Sequence, residues 1–348
     1  TLSSSSAASD VYKRQEYNYG LALLRILMCF EVILCHFYNG GGSRFLFLFD
    51  VLKNYAVPVF MMMSFLLTAK IFLTKNPLSF KKRIYRLTVP LLGWGVIYLL
   101  FYLGIQVVTG INISQSKTIT DYIRTALTGH AMWYQIDLIV LSFVFFMIFY
   151  VFKKRIGIVL INCLLVVSLY LQYSGINYEI FNECQQYKYI LGRLCEMLPY
   201  AVIGFDLAYF SVYQKAEKYR TIIMAGALIG CVLILNIILP IGFLFRGPSR
   251  VPGFGYAGGI GIIFSILMIA IAYLIPQRWF VEPIKKSISF LSPYTLGIYC
   301  MHYLIGDLMT LTVKEPSFLM CIFIFVICYV ISIIINYIPI KSIKMLIK

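Results

Sequence analysis

Charge is what this chain has least of. Asp, Glu, Lys and Arg supply 13% of its 348 residues, about half the share of a soluble domain. Hydrophobic residues supply 61%, against the roughly 45–50% usual there, and the mean hydropathy is +0.85. A soluble globular enzyme and a disordered chain are both excluded. No stretch is hydrophilic enough, for long enough, to hold a second, soluble domain. No period of roughly 20–50 residues repeats, which argues against a solenoid. The nine cysteines include no CxxC pair, so neither a zinc site nor a disulfide framework is indicated. Seven of them, Cys29, Cys35, Cys163, Cys231, Cys300, Cys321 and Cys328, sit in apolar runs and read as small hydrophobes. Cys184 and Cys195 lie in or beside one loop, where pairing is one alternative. There is no Gly-x-Ser-x-Gly elbow, no HExxH and no P-loop. A hydrolase triad and a metalloprotease therefore lack support, and no metal is expected.

Long apolar runs are what the sequence has instead. A spanning helix needs about 20 mostly apolar residues, and ten such runs can be read: 18–38, 52–74, 86–109, 132–152, 156–174, 194–213, 221–243, 255–275, 290–312 and 317–339. Strands of a membrane barrel alternate polar and apolar over about ten residues, and these runs are roughly twice that. The expected fold is all-α, a polytopic membrane bundle of about ten transmembrane helices. Pro58, Pro90 and Pro199 fall inside or at the ends of runs, as candidate kinks. The glycine-rich run 253–259 offers one helix a small-residue face.

Basic residues test that count. There are 30 Lys+Arg against 14 Asp+Glu, a net charge of +16. In a soluble protein this would raise nucleic acid. In a chain this apolar it points to cytoplasmic loops, and no nucleic-acid partner is expected. With the N-terminus in the cytoplasm, 20 Lys and Arg fall on inner segments and nine on outer ones, leaving Arg25 inside a span. Both termini are therefore expected in the cytoplasm, and the protein in the plasma or inner membrane of the cell. Residues 1–15 are Ser/Ala-rich, lack the apolar core of a signal peptide and read as a sequence-assembly scar. Residues 1–17 are expected to stand outside the fold, and 18–348 to form one membrane domain.

An ionisable side chain in a span costs roughly 2.5–3.5 kcal/mol at the helix centre, so it needs a reason. The first run holds Arg25, Glu31 and His36. Arg25 and His36 are 11 residues apart, close to three turns, so they share a face about 16 Å apart in height. Glu31 lies off that stripe, as a charge partner or a protonated packing group. Snorkelling would account for Arg25 alone, and an interhelical hydrogen bond for His36 alone. The chain has three histidines. His130 precedes Trp133 at the mouth of the fourth span, and His302 lies within the ninth. Histidine passes protons near neutral pH, which suits a general base. The most basic segment, Lys81-Lys82-Arg83-Ile84-Tyr85-Arg86, directly precedes a span. It reads as a topology signal, as a contact for anionic lipid headgroups, or as a phosphate cradle. In that last reading Arg83 and Arg86, at i and i+3, face one cleft.

These residues together resemble the acyltransferase-3 family of integral-membrane acyltransferases. Arg25 and His36 match its Arg-x10-His pattern, and Arg83 to Arg86 its Arg-x-x-Arg pattern. Tyr294 to His302 is similar to its segment ending G-I-Y-x-x-H. Val57 to Leu67 is similar to its VPLFFVISGFLL segment, with Phe65 in place of the usual Gly. His130 to Tyr134 is similar to HLWFL, and Pro199 to Gly204 to PYFLLG. The motifs occur in the family's order from residue 18 to about 302. The resemblance implies ten spans and transfer of an acyl group, usually acetyl, from cytosolic acyl-CoA (acetyl-CoA) to a carbohydrate or lipid-linked glycan acceptor at the outer face. It places donor binding on Arg25, Arg83 and Arg86 and the general base on His36. His302 and Tyr299 follow as residues that orient His36 or the acceptor, and Glu31, His130 and Trp133 as further acceptor-side candidates. An acyl-histidine intermediate is the alternative to base catalysis. The rival class is a multi-pass transporter of a small anionic or sugar-like solute, since buried Arg, Glu and His also mark solute pathways. No inverted repeat supports that rival. A scaffolding protein leaves the Arg25–His36 spacing an accident.

Overall fold

The computed structural model describes residues 17–38, 55–110, 118–128, 132–173, 188–235, 259–311 and 317–347. Among these residues every regular element is helical. The α-helices are α1 (Tyr19–Phe37), α2 (Ala56–Leu73), α3 (Pro77–Thr109), α4 (Ile119–Thr128), α5 (Met132–Val151), α6 (Lys154–Tyr173) and α7 (Lys188–Tyr209). They continue as α8 (Val212–Ala216), α9 (Arg220–Leu233), α10 (Gly259–Leu274), α11 (Glu282–Leu291), α12 (Thr295–Thr310), α13 (Phe318–Tyr337) and α14 (Lys341–Lys344).

Each of the ten expected runs contains a helix. Six described helices, α1, α2, α3, α5, α6 and α13, are long and apolar enough to cross a membrane, and a bent pair raises the count to seven. That pair joins α7 to α8 and α9 through a 56° bend. Ser211 sits at the break with φ 51°, a left-handed backbone that helix cannot continue through. The seventh and eighth runs extend into residues outside the described set. The ninth is shortened because a tight turn at Ser292–Tyr294 precedes α12. Residues 253–258 of the glycine-rich run and the partner in any Cys184–Cys195 pairing also lie outside the described residues.

Local chemistry explains where the helices begin. Asn76 caps α3 by accepting from the N–H groups of Leu78 and Ser79, and Pro77 opens the first turn with its fixed φ. The basic segment 81–86 is therefore helical from the start, and α3 begins nine residues before the expected run. Asn18 caps α1 from its side-chain oxygen to Leu21 N–H, while its amide donates to the Tyr273 carbonyl on α10. Pro90 and Pro199 lie inside α3 and α7. Two helices appear where loops were expected. α4 lies between α3 and α5, and α11 carries Lys285 and Lys286 before α12.

The bundle is built around α1 and α2, the most buried of the spanning helices, whereas α3 and α6 show most of their surface outward. α1 packs against α13, α10, α12, α2 and α11, and α2 packs most extensively against α7. With no hydrophobic drive between helices in lipid, such contacts depend on close approach of small residues. Gly204 on α7 meets the backbone of Met62 on α2, where a Cβ would clash. Gly297 on α12 leaves room for Ile347, and the Trp94 indole on α3 donates to the Leu346 carbonyl at 2.8 Å. The segment after α14 is thereby wedged between α3 and α12.

Candidate active site

Arg25 stands half-buried on α1. One terminal N–H donates to the Ser292 carbonyl at 2.7 Å, in the turn before α12. Its Nε–H is buried and has no hydrogen-bond partner. An unpaired donor of this kind costs about 1–3 kcal/mol, so it marks a place where something else supplies an acceptor. Two cavities of about 300 Å³ each meet at this guanidinium and share Arg25, Met63 and Leu67 in their walls. The first runs past Ser64 to Phe60, Tyr134 and Tyr299. The second leads past Tyr17 and Asn18, at the start of α1.

Arg83 reaches the same wall from behind. Its guanidinium donates to Ser64 Oγ on α2 and Ser142 Oγ on α5, both at 3.0 Å. It also lies 5.6 and 5.8 Å from the ring centres of Phe65 and Phe72. Phe65, the departure from the family's glycine, thus forms part of the seat of an arginine. Arg86 is exposed. Neither arginine lines the two cavities. Arg83 turns inward to two serines and Arg86 faces out, so the single cleft expected for both is not formed by their side chains.

The rings of Phe60, Tyr134 and Tyr299 converge at the far end of the first cavity, with Tyr134 and Tyr299 centres 5.3 Å apart. Beyond Tyr299 comes His302, 5.8 Å away between ring centres. His302 is fully buried, and its Nδ1 lies 2.6 Å from the Tyr299 carbonyl oxygen. A carbonyl only accepts, so Nδ1 carries the proton and Nε2 is the basic nitrogen. His36 stacks on His302 with ring centres 5.5 Å apart and planes 23° apart. It is exposed, and its Nδ1 lies 2.8 Å from the Tyr303 hydroxyl.

Trp133 is buried beneath the Arg193 guanidinium, which lies 4.8 Å from its ring and bonds Glu196 at 3.2 Å. One turn on from Trp133, Asp137 is 1% exposed, and its Oδ2 has no partner. Glu31 is buried on α1. His130 lies outside the described residues. Among the described residues no group of three or more His, Cys, Asp or Glu side chains is placed to hold a metal ion.

A family model described as an acyltransferase domain matches residues 18–338. The chain belongs to the acyltransferase-3 family. Neither a curated protein nor a solved structure matches it. The protein is thus a multi-pass membrane acyltransferase, working between an acyl donor and an acceptor, and its seam on α1 can be read in those terms.

Five residues of this acyltransferase escaped the sequence reading. Ser64 and Ser142 carried no signal, since serines in apolar helices are common. Tyr303 directly follows His302 and could have been taken with it. Asp137 and Asp307 are carboxyl groups within expected spans. The cost argument applied to the first span finds them equally well.

Proposed function

We propose that the protein moves an acyl group, acetyl first, from cytosolic acyl-CoA to a hydroxyl of a carbohydrate or lipid-linked glycan of the cell envelope. In this reading ten helices cross the plasma or inner membrane with both termini in the cytoplasm, and no nucleic acid takes part. The observation that carries it is the unpaired, buried Nε–H of Arg25 where two cavities meet, on the same face of α1 as His36.

Arg86, exposed at the inner end of α3, meets the donor phosphates. Arg83 holds the wall at Ser64 and adds its charge. A cavity of about 300 Å³ sits at the small end of the usual range of ligand sites, so it suits the narrow pantetheine arm and not the whole coenzyme. Arg25, with its Nε–H left to give, suits a carbonyl or phosphate oxygen of that arm. The Phe60–Tyr134–Tyr299 contact parts to let the thioester reach His302 and His36. The acceptor hydroxyl enters from outside, past Trp133, His130 and Glu31. His36 takes its proton, the oxygen attacks the thioester carbonyl, the carbon–sulfur bond breaks, and the proton passes to the departing thiolate.

The test is acyl transfer by the purified full chain in vesicles, with labelled acetyl-CoA and an envelope glycan fraction. His36→Ala is expected to lose roughly 10²- to 10⁴-fold in rate, the usual worth of a general base. Full transfer by that variant overturns the assignment of His36. Movement of intact solute with no release of CoA overturns the enzyme reading in favour of transport. Mass spectrometry of glycans from cells with and without the gene then names the acyl group and the acceptor.

A further inference from the structure

Three aliphatic hydroxyl groups line the first cavity, on Ser64, Thr68 and Thr295. A hydroxyl has one hydrogen to give, and where it goes decides what the group can offer a guest. Thr68 Oγ1 donates to the Ser64 carbonyl at 2.5 Å, and Thr295 Oγ1 to the Ser292 carbonyl at 3.0 Å. Both hydrogens are spent on the backbone. Ser64 differs. Its Oγ accepts an Arg83 N–H at 3.0 Å, and a guanidinium only donates, so the direction of that bond is fixed. Among the described residues the Ser64 hydroxyl hydrogen has no acceptor. Ser142, the other serine on Arg83, supplies the contrast. Its Oγ accepts from Arg83 Nε–H and passes its own hydrogen to the Leu138 carbonyl at 2.6 Å. Ser142 is fully buried and is not part of the cavity wall.

The first cavity therefore holds two spare donors, the Ser64 hydroxyl and the buried Nε–H of Arg25. A hydroxyl that accepts from a cation is also the stronger donor, because bonds in a chain polarise one another. Among the described residues no carboxylate pairs with Arg25 or with Arg83. A buried charge is ordinarily paired, and here two guanidinium groups, one in the wall and one behind it, lack a negative partner. Such a site takes a group that accepts hydrogen bonds and carries no positive charge. A carbonyl or phosphate oxygen has that chemistry.

We propose that Ser64 is a donor-binding residue, giving its hydroxyl hydrogen to a carbonyl or phosphate oxygen of acyl-CoA held in the first cavity beside Arg25. Arg83 is the positioning residue of Ser64. It occupies the serine oxygen from behind the wall and leaves the hydrogen for the cavity. The inference rests on acyl-CoA being the donor, and it adds the hydroxyl that reads it.

Binding of coenzyme A to the full chain in nanodiscs, followed by calorimetry, tests this without turnover. Ser64→Ala is expected to raise Kd about 10-fold, the worth of one hydrogen bond. Ser142→Ala takes one acceptor from Arg83, as Ser64→Ala does, but removes no group from the cavity, and is expected to move Kd far less. A wild-type Kd in Ser64→Ala overturns the proposal. Equal losses in the two variants also overturn it, because they show that Ser64 does no more than seat Arg83. Ser64→Cys keeps nearly the same volume with a much weaker donor, and reads the same contact should the alanine variant fail to fold. A wild-type Kd there overturns the proposal too. In the transfer assay the Ser64 variants are expected to show their loss in the donor KM, and a loss confined to kcat overturns the binding role. Pantetheine, which lacks the phosphates, separates the two sources of the oxygen. A Ser64→Ala loss that persists with pantetheine assigns the contact to an amide carbonyl of the arm, and one seen with coenzyme A alone assigns it to a phosphate. A wild-type chain that binds neither compound overturns the functional reading itself, a result distinct from a bound donor indifferent to Ser64.

Discussion

Gly204→Ala adds one methyl group at a close helix contact, between α7 and α2. A Cβ there would stand 2.9 Å from the Met62 carbonyl carbon and 3.0 Å from its Cα, and nearer still to the carbonyl oxygen. These are backbone atoms, so no rotamer change relieves the clash. Either α7 or α2 must move. Overpacking of this kind costs about 1–3 kcal/mol, while the exchange itself returns about 0.5–1 kcal/mol because glycine is the poorer helix former. The net expectation is a loss of up to about 2 kcal/mol. Gly226 on α9 supplies the control, because a Cβ there meets nothing within 4 Å. Gly226→Ala should therefore keep only the helix gain. The assay is thermal unfolding of the full chain in one detergent, both variants beside the wild type. Gly204→Ala should unfold earlier, and Gly226→Ala at the wild-type midpoint or above it. Because Met63 and Ser64 on the same helix line the Arg25 cavity, Gly204→Ala should also raise the donor KM. A Gly204→Ala midpoint equal to or above the wild type would refute the reasoning.

Asn76→Ala removes the cap of α3 and should cost about 1 kcal/mol, read as a lower unfolding midpoint; an unchanged midpoint means the two bonds to Leu78 and Ser79 carry no weight. Arg83→Lys keeps the charge but cannot bridge Ser64 and Ser142 together. A loss of about 1–3 kcal/mol and a weaker donor affinity are expected, and wild-type behaviour in both would show that a point charge is enough. Asp137→Asn exchanges a buried carboxyl group with an unpaired oxygen for a neutral amide of the same shape and should raise the midpoint while lowering acyl transfer. A lower midpoint would show that the carboxyl group is a structural partner and not a functional one.

The ten apolar runs were legible because a helix in lipid must be apolar along its whole length, and each run holds a helix. Lengths were less legible. The start of α3 was set by Asn76 and Pro77, which hydropathy ignores, and α12 was shortened by a turn at Ser292–Tyr294 that reads as one more stretch of an apolar run. Arg25 and His36 are costly in a membrane, and their spacing of three turns left a trace in one dimension. Arg83 and Arg86 show the limit of spacing alone: helical periodicity set them near one another, but Ser64 and Ser142 drew one inward and left the other outside. Tyr303 was the hardest to see. Its contact with His36 joins helices more than 260 residues apart in sequence.

α3 also says something about the membrane itself. Its outward apolar face runs from Leu92 to Val108, which are 54% and 84% exposed, a length of about 24 Å by helical rise. A typical hydrocarbon layer is about 30 Å thick. That stretch fits the layer, while the turns before it carry the exposed Lys81, Lys82 and Arg86, which belong at the level of the charged headgroups. Turnover in vesicles should therefore respond to the share of anionic lipid more than to acyl-chain length.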